Sequence, residues 1–124
     1  MSVAPIPKGF HTLTPHIVVN DAKAAAEFYH RAFGAEVMGL SFAADGRVMH
    51  AQVRIGDSIL MFADEYPEWN SPAPSTTKAD TCVRLHLYVD DVDNIGRLIE
   101  KQIHPIPHIR ETHTILTFEA FRNP

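Results

Sequence analysis

Two histidines stand at matching places in two similar stretches of the chain, HIVVND at residues 16–21 and HLYVDD at residues 86–91. Each stretch is a histidine, three apolar residues and a pair of acidic or amide residues, and the second begins 70 positions after the first. An imidazole can donate or accept a hydrogen bond, exchange a proton near neutral pH or ligate a metal ion. The first question is therefore whether a repeated unit gives His16 and His86 a common role.

The similarity continues on both sides of the two stretches. Apolar residues match at alternate positions before Asp21 and Asp91, as in a strand, and at steps of three and four after them, as on a helix face. Asn20 or Asp21 in the first copy, and Asp90 or Asp91 in the second, suit the start of a helix, and Gly34 suits the end of the first one. We predict a duplicated unit that reads strand, short turn, helix in each copy.

Three more strands are predicted after the first helix. They are AEVMGLSFA, RVMHAQVRI and SILMFA, which are separated by the turn signals ADG and GD. The expected fold class is α+β, a single domain of paired βαβββ modules. The first module is predicted over residues 12–63, a loop rich in proline, serine and threonine over 64–80, and the second module over 81–124.

Alternation along the predicted strands separates apolar faces from faces with polar side chains. The apolar residues of each first strand are expected to cover the helix that follows, so the mixed face is left to line a ligand hollow. Its candidate ligand-binding residues are His16, His50, Arg84, His86 and Tyr88. In the third strand, His50, Gln52 and Arg54 are predicted opposite Met49, Ala51 and Val53. Trp69 is too large to leave in water and is expected to cover a cleft edge or a partner chain.

The paired modules, opened by PHIVVND and LHLYVDDVD, resemble the vicinal oxygen chelate superfamily, which includes glyoxalase I, bleomycin-resistance proteins and extradiol dioxygenases. The stretch DAKAAAEFYHRAFGAEV, with GRVMHAQVRIGDSILMFADE after it, is similar to the PhnB-like branch. The resemblance covers residues 12 to about 103 and implies curled mixed sheets that form a cup around a small molecule. The same scaffold hosts many chemistries, so the resemblance does not name an activity.

For the metal-dependent relatives, the resemblance implies ligands near Thr14, Met61 and Arg84 in this chain. A hydroxyl, a thioether and a guanidinium do not suit Zn²⁺, Ni²⁺ or Fe²⁺. His16 and His86 lie two residues further along, and Glu119 in a final stretch HTILTFEAF would complete a displaced site. This alternative is a metal-dependent lyase or dioxygenase that binds a divalent metal through His16, His86 and Glu119.

The leading interpretation is a small-molecule-binding protein that needs no cofactor. Arg84 would pair with an anionic group of the ligand, His16 and His86 would form hydrogen bonds, and Tyr88 and Met61 would supply apolar contact. A residual fragment without any ligand is a third alternative. A ligand-induced shift in melting temperature that depends on Arg84 or His86 would exclude that fragment.

The second module is predicted to be incomplete. Only residues 104–124 follow the second helix, and the prolines at 105 and 107 disfavour a central strand. An open sheet edge with apolar residues favours pairing with another chain, so we expect a homodimer with possible exchange of the C-terminal strand.

The composition of the chain argues against nucleic acid and membranes as partners. The formal net charge is −4 and the chain has no apolar run near the roughly 20 residues of a membrane span, so neither nucleic acid nor a membrane is expected. MSVAPIPKGF has no apolar core and is not expected to be a signal peptide. The single cysteine, Cys82, fits a reducing cytoplasm.

Overall fold

A computed structural model describes residues 4–79 and 82–90 of the 124 residues. The chain divides into two compact units, Met1–Thr81 and Cys82–Pro124. The helices and strands of the described residues lie in the first unit. The helix predicted after Asp91 and the strand predicted around Glu119 lie outside the described residues.

The first unit has the predicted order of strand, helix and three strands. Its elements are β1 (His16–Val19), α1 (Ala22–Phe33), β2 (Glu36–Phe42), β3 (Val48–Ile55), β4 (Ser58–Asp64), a 3₁₀ turn (Pro67–Trp69) and α2 (Pro74–Thr77). The strands form one curled, unclosed sheet in the order β1-β4-β3-β2, with β1 parallel to β4 and the other pairs antiparallel. The α+β class is therefore confirmed.

Helix α1 begins and ends where the sequence predicts. The Asp21 side chain accepts a hydrogen bond from the backbone N–H of Ala24 at 3.0 Å. Gly34 takes the left-handed conformation with φ of 65° and donates its N–H to the carbonyl of His30. A side chain at the start and a glycine at the end satisfy backbone groups that a helix leaves unpaired.

The core lies between α1 and one face of the sheet. Phe62, Val48 and Val53 are its largest fully buried side chains, and Ala22 and Ala26 bring the helix close to them. The small alanines of α1 allow this close approach. The ring of Tyr29 packs edge-on against Phe62, with 5.4 Å between the ring centroids, which is a favourable aromatic geometry.

Strand β4 ends in a carboxylate that joins three elements. One Asp64 oxygen accepts from the backbone N–H of Ala22 at 2.7 Å, and the other accepts from that of Val48 at 2.6 Å. These bonds hold the start of α1 and the start of β3 against the end of β4. The predicted end of the fourth strand at residue 63 was one residue short.

Two other element bounds differ from the prediction. Strand β1 begins at His16 rather than near residue 12, and Leu13 is 83% exposed. Pro15 has no N–H to donate to a ladder, which explains the later start. The predicted loop over 64–80 contains the 3₁₀ turn and the four-residue helix α2.

A bulge in β3 changes the predicted faces of that strand. Ser41 of β2 pairs with His50 and Phe42 pairs with Val48, so Met49 is the extra residue. Val48 is buried in the core and Met49 is 54% exposed. The placement of Met49 on the same face as Ala51 and Val53 was therefore wrong, because a bulged residue interrupts the alternation of side chains.

The described part of the second unit differs from the prediction more than the first unit does. Residues 82–89, where a strand was predicted, form neither a helix nor a strand. The residues of the predicted apolar face are exposed by 62% at Val83, 55% at Leu85 and 40% at Leu87. The helix that was expected to pack on this face lies outside the described residues, so that packing stays a prediction.

Candidate ligand-binding site

The sheet face opposite α1 carries a groove with a volume of about 360 Å³. We call this face the groove face. Ile17 and Val19 of β1 pack on the core, so the alternate residues His16 and Val18 face the groove. The residues that line it are His16, Val18, Met49, Ala63, Asp64, Tyr66, Trp69 and Ser71.

Two of the predicted histidines lie together on the groove face. The ring centroids of His16 and His50 are 6.0 Å apart and their planes make an angle of 33°. The bulge at Met49 turns two successive residues, Met49 and His50, toward this face. Gln52 Nε2 lies 3.1 Å from His50 Nε2, so the amide nitrogen of Gln52 donates a hydrogen bond to the imidazole of His50.

Met61 lies beside His16 in the sheet. It pairs with His16 of β1 on one side and with Gln52 of β3 on the other. Because paired residues point to the same face, the thioether shares the groove face with both imidazoles. The structure thus brings together His16, His50 and Met61, which the sequence singled out separately.

An aromatic pair forms one wall of the groove. The rings of Tyr66 and Trp69 are parallel within 6°, with 4.9 Å between their centroids. Tyr66 is buried, whereas Trp69 is 71% exposed. Trp69 thus lies at the edge of the groove, but the expectation that it is not left in water was wrong, because most of the indole is exposed.

Arg47, in the turn between β2 and β3, contacts this wall and positions it. Its guanidinium carbon lies 3.9 Å from the centroid of the Tyr66 ring, a cation–π contact. Two of its nitrogens donate to the two Glu68 carboxylate oxygens at 3.0 and 2.6 Å, and its Nε donates to Asp45 at 2.9 Å. The hydrogen bonds to Glu68 and then to Asp45 raise the pKa of Arg47, and the bond from Arg47 lowers the pKa of each carboxyl.

Glu65, the residue after β4, forms hydrogen bonds with the segment that follows Trp69. Its carboxylate accepts hydrogen bonds from the Thr76 hydroxyl and the Ala73 N–H, each at 2.8 Å. These bonds, with that of Thr76 first, lower the pKa of Glu65. The two ends of segment 65–76 are thus held together by hydrogen bonds to the Glu65 carboxylate.

The Tyr66 hydroxyl is the exception among these polar groups. It is buried, and within the described part of the chain it has no hydrogen-bond partner. A buried hydroxyl without a partner loses the hydrogen bonds that it makes to water in the unfolded chain. The ring of Tyr66, rather than its hydroxyl, therefore stabilises this wall.

The other predicted site residues lie in the second unit or outside the described residues. Arg84, His86 and Tyr88 are exposed in the second unit. The rings of His86 and Tyr88 stack with 6.0 Å between their centroids and an angle of 21°. Glu119 lies outside the described residues, so the metal site of His16, His86 and Glu119 stays a prediction.

The donor groups of the first unit do not fit a metal centre. Thr14 and Met61, at positions implied for metal ligands by the resemblance, carry a hydroxyl and a thioether. In residues 4–79 and 82–90, histidine, cysteine and acidic side chains form no group of three that could hold an ion. Structural and catalytic zinc sites need at least three nitrogen, sulfur or carboxylate ligands from the protein. We derive no catalytic step through a metal.

Sequence reasoning missed several residues of the groove, namely Met49, Asp64, Tyr66 and Ser71. The bulge conceals Met49, because the alternation of side chains places it on the other face. Tyr66 and Ser71 lie in a predicted loop, where no periodicity indicates direction. No local pattern indicates that the loop folds back on a cation, because Glu68 lies 21 residues after Arg47, to which it bonds.

The fold and the groove define an α+β protein in which a strand–helix–three-strand unit carries a groove on the sheet face opposite its helix. Residues 9–104 match the family model of the Glyoxalase/Bleomycin resistance protein/Dioxygenase superfamily, and the chain belongs to this superfamily. The described residues contain no helix that is long and apolar enough to cross a membrane.

Relatives of the chain occur in mycobacteria. Uncharacterized proteins of Mycobacterium bovis and Mycobacterium tuberculosis are each 40% identical to it over 84 residues. The match covers 65% of this chain, 55% of the M. bovis protein and 49% of the M. tuberculosis protein. The chain thus spans about half the length of the curated relatives it matches. The crystal structure of TioX from Micromonospora sp. ML1 is similar with a TM-score of 0.45 and 20% identity, over 70% of this chain and 68% of that one.

Proposed function

We propose that the chain is a small-molecule-binding protein of the glyoxalase/bleomycin-resistance type, with its ligand in the groove. The observation that supports this most directly is that an imidazole and two aromatic rings line one groove of about 360 Å³. Ligand pockets span about 300–1,000 Å³ and combine apolar or aromatic walls with a few polar groups. The groove has this composition and lies near the lower end of that range.

His16 is the proposed hydrogen-bonding residue of the groove. Within the described residues its ring makes a contact with the His50 ring and no hydrogen bond, whereas His50 is bonded to Gln52. A ligand acceptor or donor can therefore use His16 without displacing a partner. Met61, beside His16 in the sheet, is proposed to supply apolar contact, and His50 to set the position of the His16 ring.

We propose that Arg84, His86 and Tyr88 also contact the ligand. The matching positions of His16 and His86 in the repeated sequence support this assignment. A guanidinium forms paired hydrogen bonds to a carboxylate or phosphate, so Arg84 favours an anionic ligand. The proposed function includes no cofactor.

We further propose that the protein belongs to the PhnB-like branch, acts in the cytoplasm and forms a homodimer. Strand β2 is an edge of the described sheet, and Val37, Met38 and Phe42 are exposed by 42, 45 and 54%. Apolar side chains on an edge strand favour pairing with a second chain, which can include exchange of the C-terminal strand. A monomeric mass in solution at micromolar protein concentration would contradict the homodimer.

Ligand binding can be tested with a thermal-shift screen of small aromatic and aliphatic carboxylic acids, with positive compounds confirmed by isothermal titration calorimetry. We expect at least one compound to raise the melting temperature. His16→Ala should weaken its binding about tenfold, as expected for the loss of one hydrogen bond to a charged group. His11→Ala is the matched control, because His11 is exposed and bonded to Asp57 outside the groove. Equal weakening by both substitutions, or no stabilising compound, would contradict the proposal.

A further inference from the structure

Trp69 presents a flat apolar surface at the groove. One face of the indole lies on the Tyr66 ring, in a parallel stack with 4.9 Å between centroids. The side chain is nevertheless 71% exposed. A planar ring covered on one face and largely exposed overall has its second face accessible to a flat molecule.

The backbone around Trp69 holds the indole in place. Tyr66 and Ser71 exchange two backbone hydrogen bonds, of 2.7 and 3.0 Å, which close the loop between them. Inside the loop, Trp69 donates to the Tyr66 carbonyl at 2.9 Å. Asn70 takes the left-handed conformation with φ of 59°, which asparagine tolerates better than most residues. A closed loop of this kind loses little freedom when a ligand binds.

Side chains also hold the Tyr66 ring that lies beneath Trp69. The Arg47 guanidinium lies over the Tyr66 ring and donates to both oxygens of Glu68, the residue before Trp69. Arg47 thus contacts the ring beneath Trp69 and the chain next to it. It acts as a positioning residue for the indole rather than as a ligand-contacting residue.

We infer that Trp69 is a stacking platform for a planar aromatic ligand that carries an anionic group for His16. The inference rests on the proposed function and names the ligand class. Both residues line the same groove, with Val18, Met49 and Ala63 as its apolar lining. Stacked aromatic pairs gain more than their buried area alone provides. An imidazole that has no hydrogen bond in the described residues can donate one to a carboxylate.

The test compares 2-naphthoate with decahydro-2-naphthoate, which has the same carbon skeleton and carboxylate but is saturated and not planar. The full-length chain is titrated with each probe by isothermal titration calorimetry. Because Trp69 is the only tryptophan, its fluorescence gives a second measure of 2-naphthoate binding beside calorimetry. We expect 2-naphthoate to bind about five- to tenfold more tightly than the saturated acid.

Variants separate stacking from simple apolar contact. Trp69→Phe keeps a flat ring and should retain the preference for 2-naphthoate, whereas Trp69→Leu should abolish the preference by weakening the binding of 2-naphthoate more than that of decahydro-2-naphthoate. Circular dichroism spectra and melting temperatures check that the variants fold. Equal affinity for both probes in the wild type, or equal losses for both in Trp69→Leu, would overturn the stacking platform but not the binding function. If neither probe bound at millimolar concentration, the stacking platform and the proposed binding function would both be contradicted.

Discussion

The carboxylate of Asp64, the last residue of β4, accepts a 2.7 Å hydrogen bond from the backbone N–H of Ala22, the first residue of α1. The two residues lie 42 positions apart in sequence, so this contact fixes the start of the helix to the end of the last strand of the sheet. Its second oxygen accepts from the Val48 N–H at the start of β3. The first helical N–H groups have no partner within the helix, and a negative charge near them is favourable.

Replacement of Asp64 by asparagine should destabilise the first unit. The amide keeps one acceptor oxygen, so only one of the Ala22 and Val48 N–H groups can retain its bond. Hydrogen bonds to charged groups contribute about 1.5–3 kcal/mol each, and we expect a loss of this size in the free energy of unfolding. Urea denaturation followed by circular dichroism would measure it.

Asp57→Asn is the matched control for that substitution. Asp57 lies in the exposed turn between β3 and β4, where its carboxylate accepts from the Ser58 hydroxyl. We expect a change of less than about 0.5 kcal/mol, as for most surface substitutions. If Asp64→Asn were equally mild, Asp64 would not be the junction of the three elements.

Tyr66→Phe should leave the unfolding free energy unchanged or raise it by about 1 kcal/mol. The substitution removes a buried hydroxyl that has no hydrogen-bond partner in the described residues, and it preserves the ring between Arg47 and Trp69. Tyr66→Leu, which removes the ring, should destabilise the protein instead. Denaturation monitored by Trp69 fluorescence measures both variants, and a clear loss in Tyr66→Phe would show that the hydroxyl has a partner.

Acid should loosen the wall of the groove through Glu68. The Arg47 hydrogen bonds lower the pKa of Glu68 below its ordinary value of 4.5. A carboxyl whose pKa is lower in the folded state stabilises that state above the unfolded value, and this contribution is lost as the pH falls through the folded value. Trp69 fluorescence should therefore change below pH 4.5 in the wild type, at pH values where far-ultraviolet circular dichroism is still unchanged.

Glu68→Gln should remove most of this acid-induced fluorescence change, because glutamine does not titrate. Asp45 also bonds to Arg47, so a smaller change should remain. Glu27→Gln, on the exposed side of α1, is the control and should behave as the wild type. The same acid transition in Glu68→Gln and the wild type would show that the ion pair does not position Trp69.

The sequence predicted the first unit well, because helix caps and turns depend on residues that are close in sequence. Asp21 and Gly34 bound α1 as expected, since helix caps depend on neighbouring backbone groups. The turn residues between strands likewise placed β2, β3 and β4 within one residue of their observed starts and ends. A local signal of this kind does not depend on how the rest of the chain packs.

The candidate site was less predictable, because its walls form by long-range contacts. Alternation is valid only while a strand stays regular, so the bulge at Met49 was not visible in the sequence. Tyr66 and Trp69 take their positions from a loop closed by Arg47, about 20 residues earlier in sequence. The alternation of Val83, Leu85 and Leu87 predicted a strand, which residues 82–89 do not form, because strand formation depends on the surroundings of the segment more than on its side-chain pattern.

The two faces of β4 should respond very differently to truncation. Phe62 is fully buried against Tyr29 on the helix side, whereas its neighbour Met61 is half-buried on the groove face. Phe62→Ala should lower the free energy of unfolding by about 3–5 kcal/mol, because it removes a large side chain and leaves a cavity. Met61→Ala should lower it by clearly less, since water can fill the space left on an open face. Chemical denaturation of the two variants measures the difference. Equal losses at both positions would mean that the groove face is packed like a core, which would also remove the space assigned to the ligand.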